Sequence, residues 1–154
     1  MIDPKTLKNY SLFSGLPGEQ IEKIIPLMIQ ETYVPGDSII EEGTSNDKIY
    51  FILEGNVAVI KRDKIIYNLT EGNTFGEMEV LDVMPSAATI KALTDVTVAF
   101  ITNRSLREIY QNDLKSYSLL IMNIARDLSR RLRVANKMMV DGKIYELYSP
   151  ALLH

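Results

Sequence analysis

The spacing of apolar residues changes twice along the chain and divides it into three parts. Over residues 4–30 the apolar positions recur at near-helical intervals, at Leu7, Phe13, Leu16, Ile21, Ile24, Ile25 and Met28. Residues 14–18, Ser-Gly-Leu-Pro-Gly, interrupt this spacing because glycine and proline break helices. The first part of the chain therefore predicts two short helices.

From Thr32 to Thr102 the pattern is that of strands. Short β-rich runs alternate with turn sequences, and the runs occupy residues 49–53, 57–60, 65–69, 88–93 and 96–101. Short strands with turns about every 8–12 residues are typical of a sandwich or a barrel. The segment GEMEVLDVMP at 76–85 is the exception, because its apolar spacing predicts a short helix among the strands.

The third part, from Asn103 onward, is again helical. Asn103 is predicted to cap a helix over 104–112, and Ser116 or Ser118 to begin a longer helix that runs to about Val140. The sequence Asp-Gly at 141–142 is a stop signal. One face of the longer helix carries an apolar stripe of Ile121, Ile124, Leu128, Leu132, Ala135 and Met139, and the opposite face carries Arg126, Arg130, Arg133 and Lys137.

Each face of this long helix has two interpretations. The apolar stripe can pack on the β-structure or form a two-fold helix–helix contact. Because the stripe continues past Leu132, where one domain should no longer need it, the pattern favours a homodimer through residues 118–140. The basic face is interpreted as a solvated helix surface in preference to a nucleic-acid contact.

Composition narrows the class of protein. The 154 residues predict one domain over 1–140 and a tail over 141–154, and the net charge of -3 divides into -7 for residues 1–102, +5 for 103–139 and -1 for the rest. No run of roughly 18 uncharged apolar residues is present, and the N-terminus does not resemble a signal peptide. We therefore expect a cytoplasmic protein with no membrane partner.

The sequence offers few residues for catalysis or metal binding. It contains no cysteine, and its single histidine is the last residue, His154. A cupin-like enzyme is a competitor at the level of the fold, but such enzymes need histidine-rich metal sites. Without an interior histidine or a cysteine, no Ser/His/Asp or Cys/His set can be assembled. We expect no enzymatic activity and no metal.

Two sequence motifs carry a family resemblance. The first is VPGDSIIEEGTSNDKIYFILEGNVAVI, with Gly36, Gly43 and Gly55 at sharp turns; the second is LTEGNTFGEMEVLDVMPSAATIKAL. Together with the order of elements, they resemble the cyclic-nucleotide-binding domain family over about residues 10–140. The resemblance implies a regulatory domain of the α+β class. Its fold would be an antiparallel, jelly-roll-like β-roll with short N-terminal helices, a short cassette helix and a long C-terminal helix.

The resemblance also implies a nucleotide site in the second motif. Gly76 would allow close backbone approach, Glu77 would accept a hydrogen bond from the ribose 2′-hydroxyl, and Ala87 and Ala88 would leave room and offer a backbone donor. An arginine after the proline would pair with the phosphate. The predicted binding residues are Gly76, Glu77, Met78, Glu79, Ser86, Ala87 and Ala88.

Two positions depart from the family pattern. Ser86 stands where the arginine is expected, and Glu79 stands where a small residue is expected; the nearest alternative base in the sequence is Lys91. A lost charged hydrogen bond is worth about 1.5–3 kcal/mol, or roughly ten- to a hundred-fold in affinity. Cyclic AMP or cyclic GMP, the cofactor that the family implies, is therefore expected to bind weakly or not at all.

Two functions remain open from the sequence. The first is a regulatory ligand-sensing domain, and the alternative is a degenerate sensor that serves as a nucleotide-independent dimerisation or partner-docking module. The residues from Asp141 to His154 are too few for a helix-turn-helix domain, so we expect no nucleic-acid partner. A protein partner is compatible with both functions.

Overall fold

The computed structural model describes residues 1–142 and begins with four short helical pieces. They are α1 (Pro4–Leu7), a 3-10 turn (Ser11–Phe13), α2 (Gly18–Ile24) and a second 3-10 turn (Ile25–Leu27). The prediction of two short helices is confirmed for α1 and α2, but the first strand already begins at Ile29. The predicted helical range to residue 30 therefore extends three residues past the last helical residue, Leu27.

Eight strands form the centre of the molecule. They are β1 (Ile29–Tyr33), β2 (Ser38–Ile40), β3 (Lys48–Glu54), β4 (Val57–Lys61), β5 (Lys64–Leu69), β6 (Thr74–Phe75), β7 (Thr89–Ala92) and β8 (Val96–Thr102). They pair in two four-stranded sheets, in the orders β1-β8-β3-β6 and β2-β7-β4-β5, and every pair is antiparallel. Together with the helices, this arrangement confirms the predicted α+β fold with an antiparallel β-roll.

The position of β3 between two cores explains why its sequence is a continuous apolar run. Phe51 belongs to the core between the first sheet and the helices, where it meets Phe13 edge-on at a centroid distance of 5.2 Å. Tyr50 and Ile52 belong to the core between the two sheets. Because both faces of the strand are buried, the usual alternation of apolar and polar residues disappears.

Two helices follow the last strand and correct the predicted caps. Helix α4 (Asn103–Asn112) is capped by Thr102, whose hydroxyl accepts from the Ser105 amide. Helix α5 (Leu114–Val140) is capped by Asp113, whose carboxylate accepts from the Ser116 amide. The predicted caps Asn103, Ser116 and Ser118 lie inside the helices instead. The predicted stop is confirmed, since α5 ends at Val140 and Gly142 adopts a φ of 67°.

The apolar stripe of α5 is only partly covered by the rest of the fold. Ile124 is buried and Leu128 packs against the helix-side core, whereas Leu132 and Met139 are exposed. Asn123 fixes the first half of the helix, because its side-chain amide donates to the carbonyls of Leu12 and Ser14 at 2.9 and 2.8 Å. Most of the predicted tail, residues 143–154, lies outside the described residues.

Candidate functional site

The short helix predicted within the roll is present as α3 (Glu77–Asp82). It begins after Gly76, whose φ of 80° is in the left-handed region, and it ends at Val83, which also has a positive φ of 58°. A Cβ atom at Gly76 would lie 2.7 Å from the Lys48 carbonyl oxygen on β3. The close approach that requires glycine here is therefore made to a neighbouring strand of the fold itself.

A cavity of about 310 Å³ lies between α3, the second sheet and α5, and we call it the cassette cavity. Its lining residues are Ile40, Val59, Lys61, Ile66, Tyr67, Phe75, Gly76, Glu77, Met78, Glu79, Ala87, Ala88, Ile90 and Arg131. Six of the seven predicted binding residues are thus brought together around one cavity. Ser86 is the exception and does not line it.

Ser86 is held in the turn behind the cavity. Its backbone N–H donates to the Thr44 carbonyl, and its own carbonyl accepts from the Gly43 N–H, both at 2.8 Å. The residue is buried, and its hydroxyl has no hydrogen-bond partner in the described part of the chain. The backbone of this position is therefore a structural tie between two loops.

Glu77 is paired with an arginine from the long helix. Nη1 of Arg131 donates to Oε1 of Glu77 at 2.9 Å, and Nη2 donates to the Thr74 carbonyl at the same distance. The Glu77 side chain is only 3% exposed, and its second oxygen, Oε2, has no hydrogen-bond partner in residues 1–142. One carboxylate thus joins the cavity wall to α5 and keeps one acceptor unused.

Arg131 was not among the basic residues singled out from the sequence. It lies three positions after Leu128 and seven after Ile124, on the same side of α5 as the apolar stripe. An arginine at such a position must either extend to solvent or find a buried acceptor. A single arginine within an apolar stripe was therefore the signal that could have identified it.

Glu79 also makes a contact at the cavity. Its Oε1 accepts a hydrogen bond from the Ala87 N–H at 3.3 Å. The family resemblance leads us to expect a backbone donor from Ala87 or Ala88. The Glu79 carboxylate therefore occupies the Ala87 N–H and adds a negative charge beside it.

The alternative base predicted from the sequence, Lys91, is not at the cavity. Ile90 faces the cavity, so Lys91, the next residue of β7, lies on the other face of that strand. The lysine that does line the cavity is Lys61, whose Nζ donates to the Ala87 carbonyl at 2.6 Å and pairs with Glu42 at 2.7 Å. The hydrogen bond from Lys61 lowers the pKa of the Glu42 carboxyl below its ordinary value.

The cavity lining carries two basic and two acidic side chains, and all four contact other groups of the protein. Lys61 and Arg131 are the basic lining residues, and Glu77 and Glu79 are the acidic ones. Each makes at least one hydrogen bond or ion pair with the protein. The remaining lining is mostly apolar, so the cavity offers an apolar surface with one unused buried acceptor.

An aromatic pair supports the wall of the cavity. The ring of Phe75 stacks on Tyr50 with a centroid distance of 4.8 Å and an interplanar angle of 5°. Burial raises the pKa of Tyr50 to about 12, so the phenol stays neutral at physiological pH. This pair fixes the end of β6 immediately before Gly76 and α3.

Two further features, a metal site and a membrane span, are absent from residues 1–142. These residues hold no group of three or more histidine, cysteine, aspartate or glutamate side chains arranged to bind a metal. No helix within the same residues combines the length and apolar character that crossing a bilayer requires.

The sequence has relatives among known proteins. Residues 30–113, more than half of the chain, match the model of the family described as "Cyclic nucleotide-binding domain". The chain is also 35% identical over 94 residues to a cAMP-dependent protein kinase regulatory subunit from Debaryomyces hansenii. That match covers 60% of this chain and only 21% of the relative, so the chain spans about a fifth of that protein.

Comparison with solved structures gives the same fold. A cyclic nucleotide-binding domain from Methylobacillus flagellatus superposes with a TM-score of 0.80 at 22% identity, covering 89% of this chain and 80% of that one. The regulatory subunit of a cAMP-independent protein kinase A from Trypanosoma brucei superposes at 0.69 with 27% identity, covering 79% and 44%. The solved form of the latter carries glutamate-to-alanine, threonine-to-arginine and valine-to-alanine substitutions and is bound to cAMP in its A site.

Proposed function

Because this chain belongs to the cyclic nucleotide-binding domain family, we propose that it is a regulatory domain that senses a small molecule in the cassette cavity. The observation that carries this proposal is the Glu77–Arg131 ion pair, which joins the cavity wall to the long helix α5. The similarity to a kinase regulatory subunit supports a regulatory role.

The ion pair gives a route from ligand to helix. A ligand that binds the Glu77 carboxylate competes with Arg131 for it, because Arg131 pairs with the same carboxylate. Any ligand that binds one position of α5 better than another shifts the population toward the better-bound position. The signal proposed for this domain is therefore a change in where α5 lies relative to the roll.

We further propose that cyclic AMP and cyclic GMP bind weakly or not at all. In the trypanosomal protein the substituted glutamate stands seven positions before the substituted threonine, and the valine follows directly. The same spacing separates Glu79 from Ser86, with Ala87 next. The form of that protein with an alanine and an arginine at these places is bound to cAMP, which supports Glu79 and Ser86 as the obstacles here.

Calorimetric titration tests this proposal directly. We expect the unmodified protein to bind cyclic AMP no tighter than the high-micromolar range, about the affinity left when a charged phosphate contact is lost. The Glu79→Ala/Ser86→Arg double variant should bind at least about tenfold tighter. Tight binding by the unmodified protein would contradict the weak-binding proposal, and Lys61 or Arg131 would then have to supply the phosphate contact.

We also propose that the domain forms a homodimer through residues 118–140. The exposed part of the apolar stripe, Leu132 and Met139 at 61% and 65% exposure, supports this contact. Leu128 packs partly on the domain's own core, so Leu132 is the residue whose substitution separates dimerisation from folding. Cytoplasmic location and absence of catalysis remain part of the proposal, and turnover of a cyclic nucleotide by the pure protein would refute the second.

One observation favours the alternative of a partner-docking module. Helix α3 and the turn after it expose four large apolar side chains, Met78, Leu81, Val83 and Met84. Such a cluster is typical of a protein contact. If neither the unmodified protein nor the double variant binds any nucleotide or nucleoside, the sensing proposal fails and docking becomes the better account.

A further inference from the structure

We propose that the cassette cavity takes an uncharged, hydroxyl-bearing ring compound of about nucleoside size, in place of a phosphate ester. This inference rests on the proposed function, since it assumes that the cassette cavity is the sensing site. Three features of the cavity carry it: an unused buried acceptor, the absence of a free cation on its described lining, and apolar walls.

The unused acceptor is Oε2 of Glu77. Its partner oxygen, Oε1, is bound by Arg131, while Oε2 is buried and has no hydrogen-bond partner in the described part of the chain. Buried polar atoms are rarely left in this state, because each carries the cost of lost hydration. Glu77 lines the cassette cavity, so Oε2 is the acceptor of this side chain that remains for a ligand in the cavity. An ionised carboxylate only accepts, so the ligand group that fits is a donor, and a hydroxyl supplies one.

The charges of the lining argue against a phosphate. Arg131 is engaged by Glu77 and the Thr74 carbonyl, and Lys61 is engaged by Glu42 and the Ala87 carbonyl. A phosphate would have to compete for one of these bases, and it would lie beside the Glu79 carboxylate at the Ala87 N–H. An uncharged ligand needs no free base and leaves all of these contacts in place.

The apolar lining of the cavity indicates that most of the ligand surface is apolar. Ile40, Val59, Ile66 and Ile90 line the cavity from the second sheet, and Phe75 lines it from the first. Apolar walls with few polar groups are the usual lining of small-molecule sites, in which the polar groups fix orientation. The volume of about 310 Å³ is at the lower end of such sites. A ring compound with hydroxyls on one edge matches this division between apolar and polar surface.

The test compares adenosine and guanosine with their own 3′,5′-cyclic phosphates, in which a charged phosphate diester replaces the free 3′- and 5′-hydroxyls. The intact protein is titrated by calorimetry with adenosine, guanosine, cytidine, uridine, cyclic AMP and cyclic GMP. We expect at least one nucleoside to bind saturably, and adenosine or guanosine to bind at least about tenfold tighter than its cyclic form. Failure of all four nucleosides to saturate at about 1 mM overturns the inference, as does equal or tighter binding of the cyclic forms.

Removal of single hydroxyls tests the acceptor without changing the protein. With 2′-deoxyadenosine and 3′-deoxyadenosine, we expect one of the two to bind at least about tenfold more weakly than adenosine. Glu77→Gln should weaken adenosine by a similar factor, whereas Glu22→Gln, at an exposed position on α2, should leave it unchanged. Equal affinity for adenosine and both deoxy forms overturns the role of Glu77 even if the Glu77 variant fails to fold.

The double variant separates failure of this inference from failure of the proposed function. Glu79→Ala/Ser86→Arg should reverse the preference toward cyclic AMP. If the double variant binds cyclic AMP but the unmodified protein binds no nucleoside, the cavity is a ligand site and the inference alone is overturned. If neither protein binds any of these compounds, both are overturned.

Discussion

Replacing Arg131 with alanine is expected to lower the free energy of unfolding by about 3 kcal/mol. The substitution removes both hydrogen bonds from the guanidinium and leaves the Glu77 carboxylate without its ion-pair partner. With Arg131 in place the Glu77 side chain is only 3% exposed, so the ion pair is the contact that compensates for the burial of this carboxylate. The cost is therefore that of an uncompensated buried charge, and not that of a surface contact.

The magnitude follows from the exposure of the two side chains. Breaking a buried ion pair by removing one member costs about 3–5 kcal/mol, whereas an exposed pair contributes about 0.2–1 kcal/mol. Arg131 is 18% exposed, which places the pair near the lower end of the buried range. Total stabilities of about 5–15 kcal/mol make this a large share of the whole.

Urea denaturation followed by circular dichroism measures the difference, and the neighbouring residue supplies the control. Arg130 pairs with Asp127 on the surface, and its side chain is 55% exposed, so Arg130→Ala should cost no more than about 1 kcal/mol. Adding Glu77→Gln to Arg131→Ala should recover part of the loss because it removes the buried charge. Equal losses for the two arginine variants would refute the reasoning.

Three further outcomes follow from the described contacts. Leu132→Glu should convert a dimer to a folded monomer in light scattering, and a monomeric unmodified protein at micromolar concentration would contradict the dimer. Asp113→Ala should cost about 1 kcal/mol at pH 7. The hydrogen bonds from Ser116 lower the pKa of Asp113. The contribution of Asp113 to stability is therefore complete above the unfolded pKa of about 3.9 and should vanish as the pH falls through the lower folded pKa. A difference in stability between the two proteins that stays the same in acid would contradict the capping role. Gly76→Ala should cost about 1–3 kcal/mol more than Gly36→Ala, because both have positive φ but only the first places a Cβ against backbone; equal costs would contradict the clash.

The strands that the sequence predicted are those with a strong apolar signal. Strand β3 was found because both of its faces are buried, which makes nearly every residue apolar. Strand β1 was missed because only one face packs and its residues include Gln30, Glu31 and Thr32. Strand β6 has two residues, too few to show any period. Buried strands could therefore be predicted from the sequence, whereas edge strands and very short strands are recognised only from their pairing in the folded structure.

The helix caps show another limit of sequence reasoning. Thr102 and Asn103 are adjacent and can both cap a helix, as can Asp113 and Ser116. Which residue serves depends on where the chain leaves the extended conformation, and that point is set by the pairing of β8 and by the end of α4. Sequence placed both helices correctly and their first residues only approximately.

The candidate site was predictable as a segment but not as a set of contacts. The motif located Glu77 and Glu79, and six of its seven residues line one cavity. The arginine that pairs with Glu77 comes from 54 positions further along the chain, a separation that no local pattern encodes. The sequence also could not show which of Lys61 and Lys91 lies at the cavity, because the face of the sheet on which each lysine lies depends on the strand register.

Helix α5 is tied to the rest of the fold along its first part, and its last turns extend beyond these contacts. Asn123 ties its first half to two backbone carbonyls, the Ser11 hydroxyl donates to Asp127 at 2.6 Å, and Arg131 ties the helix to the cassette. From Arg131 to Val140 the helix extends about 13 Å, at about 1.5 Å per residue. A tilt of about 10° at the arginine therefore moves the end of the helix by roughly 2 Å. A displacement of that size is enough to repack an interface, so a change of tilt at Arg131 is enlarged by the length of helix beyond it.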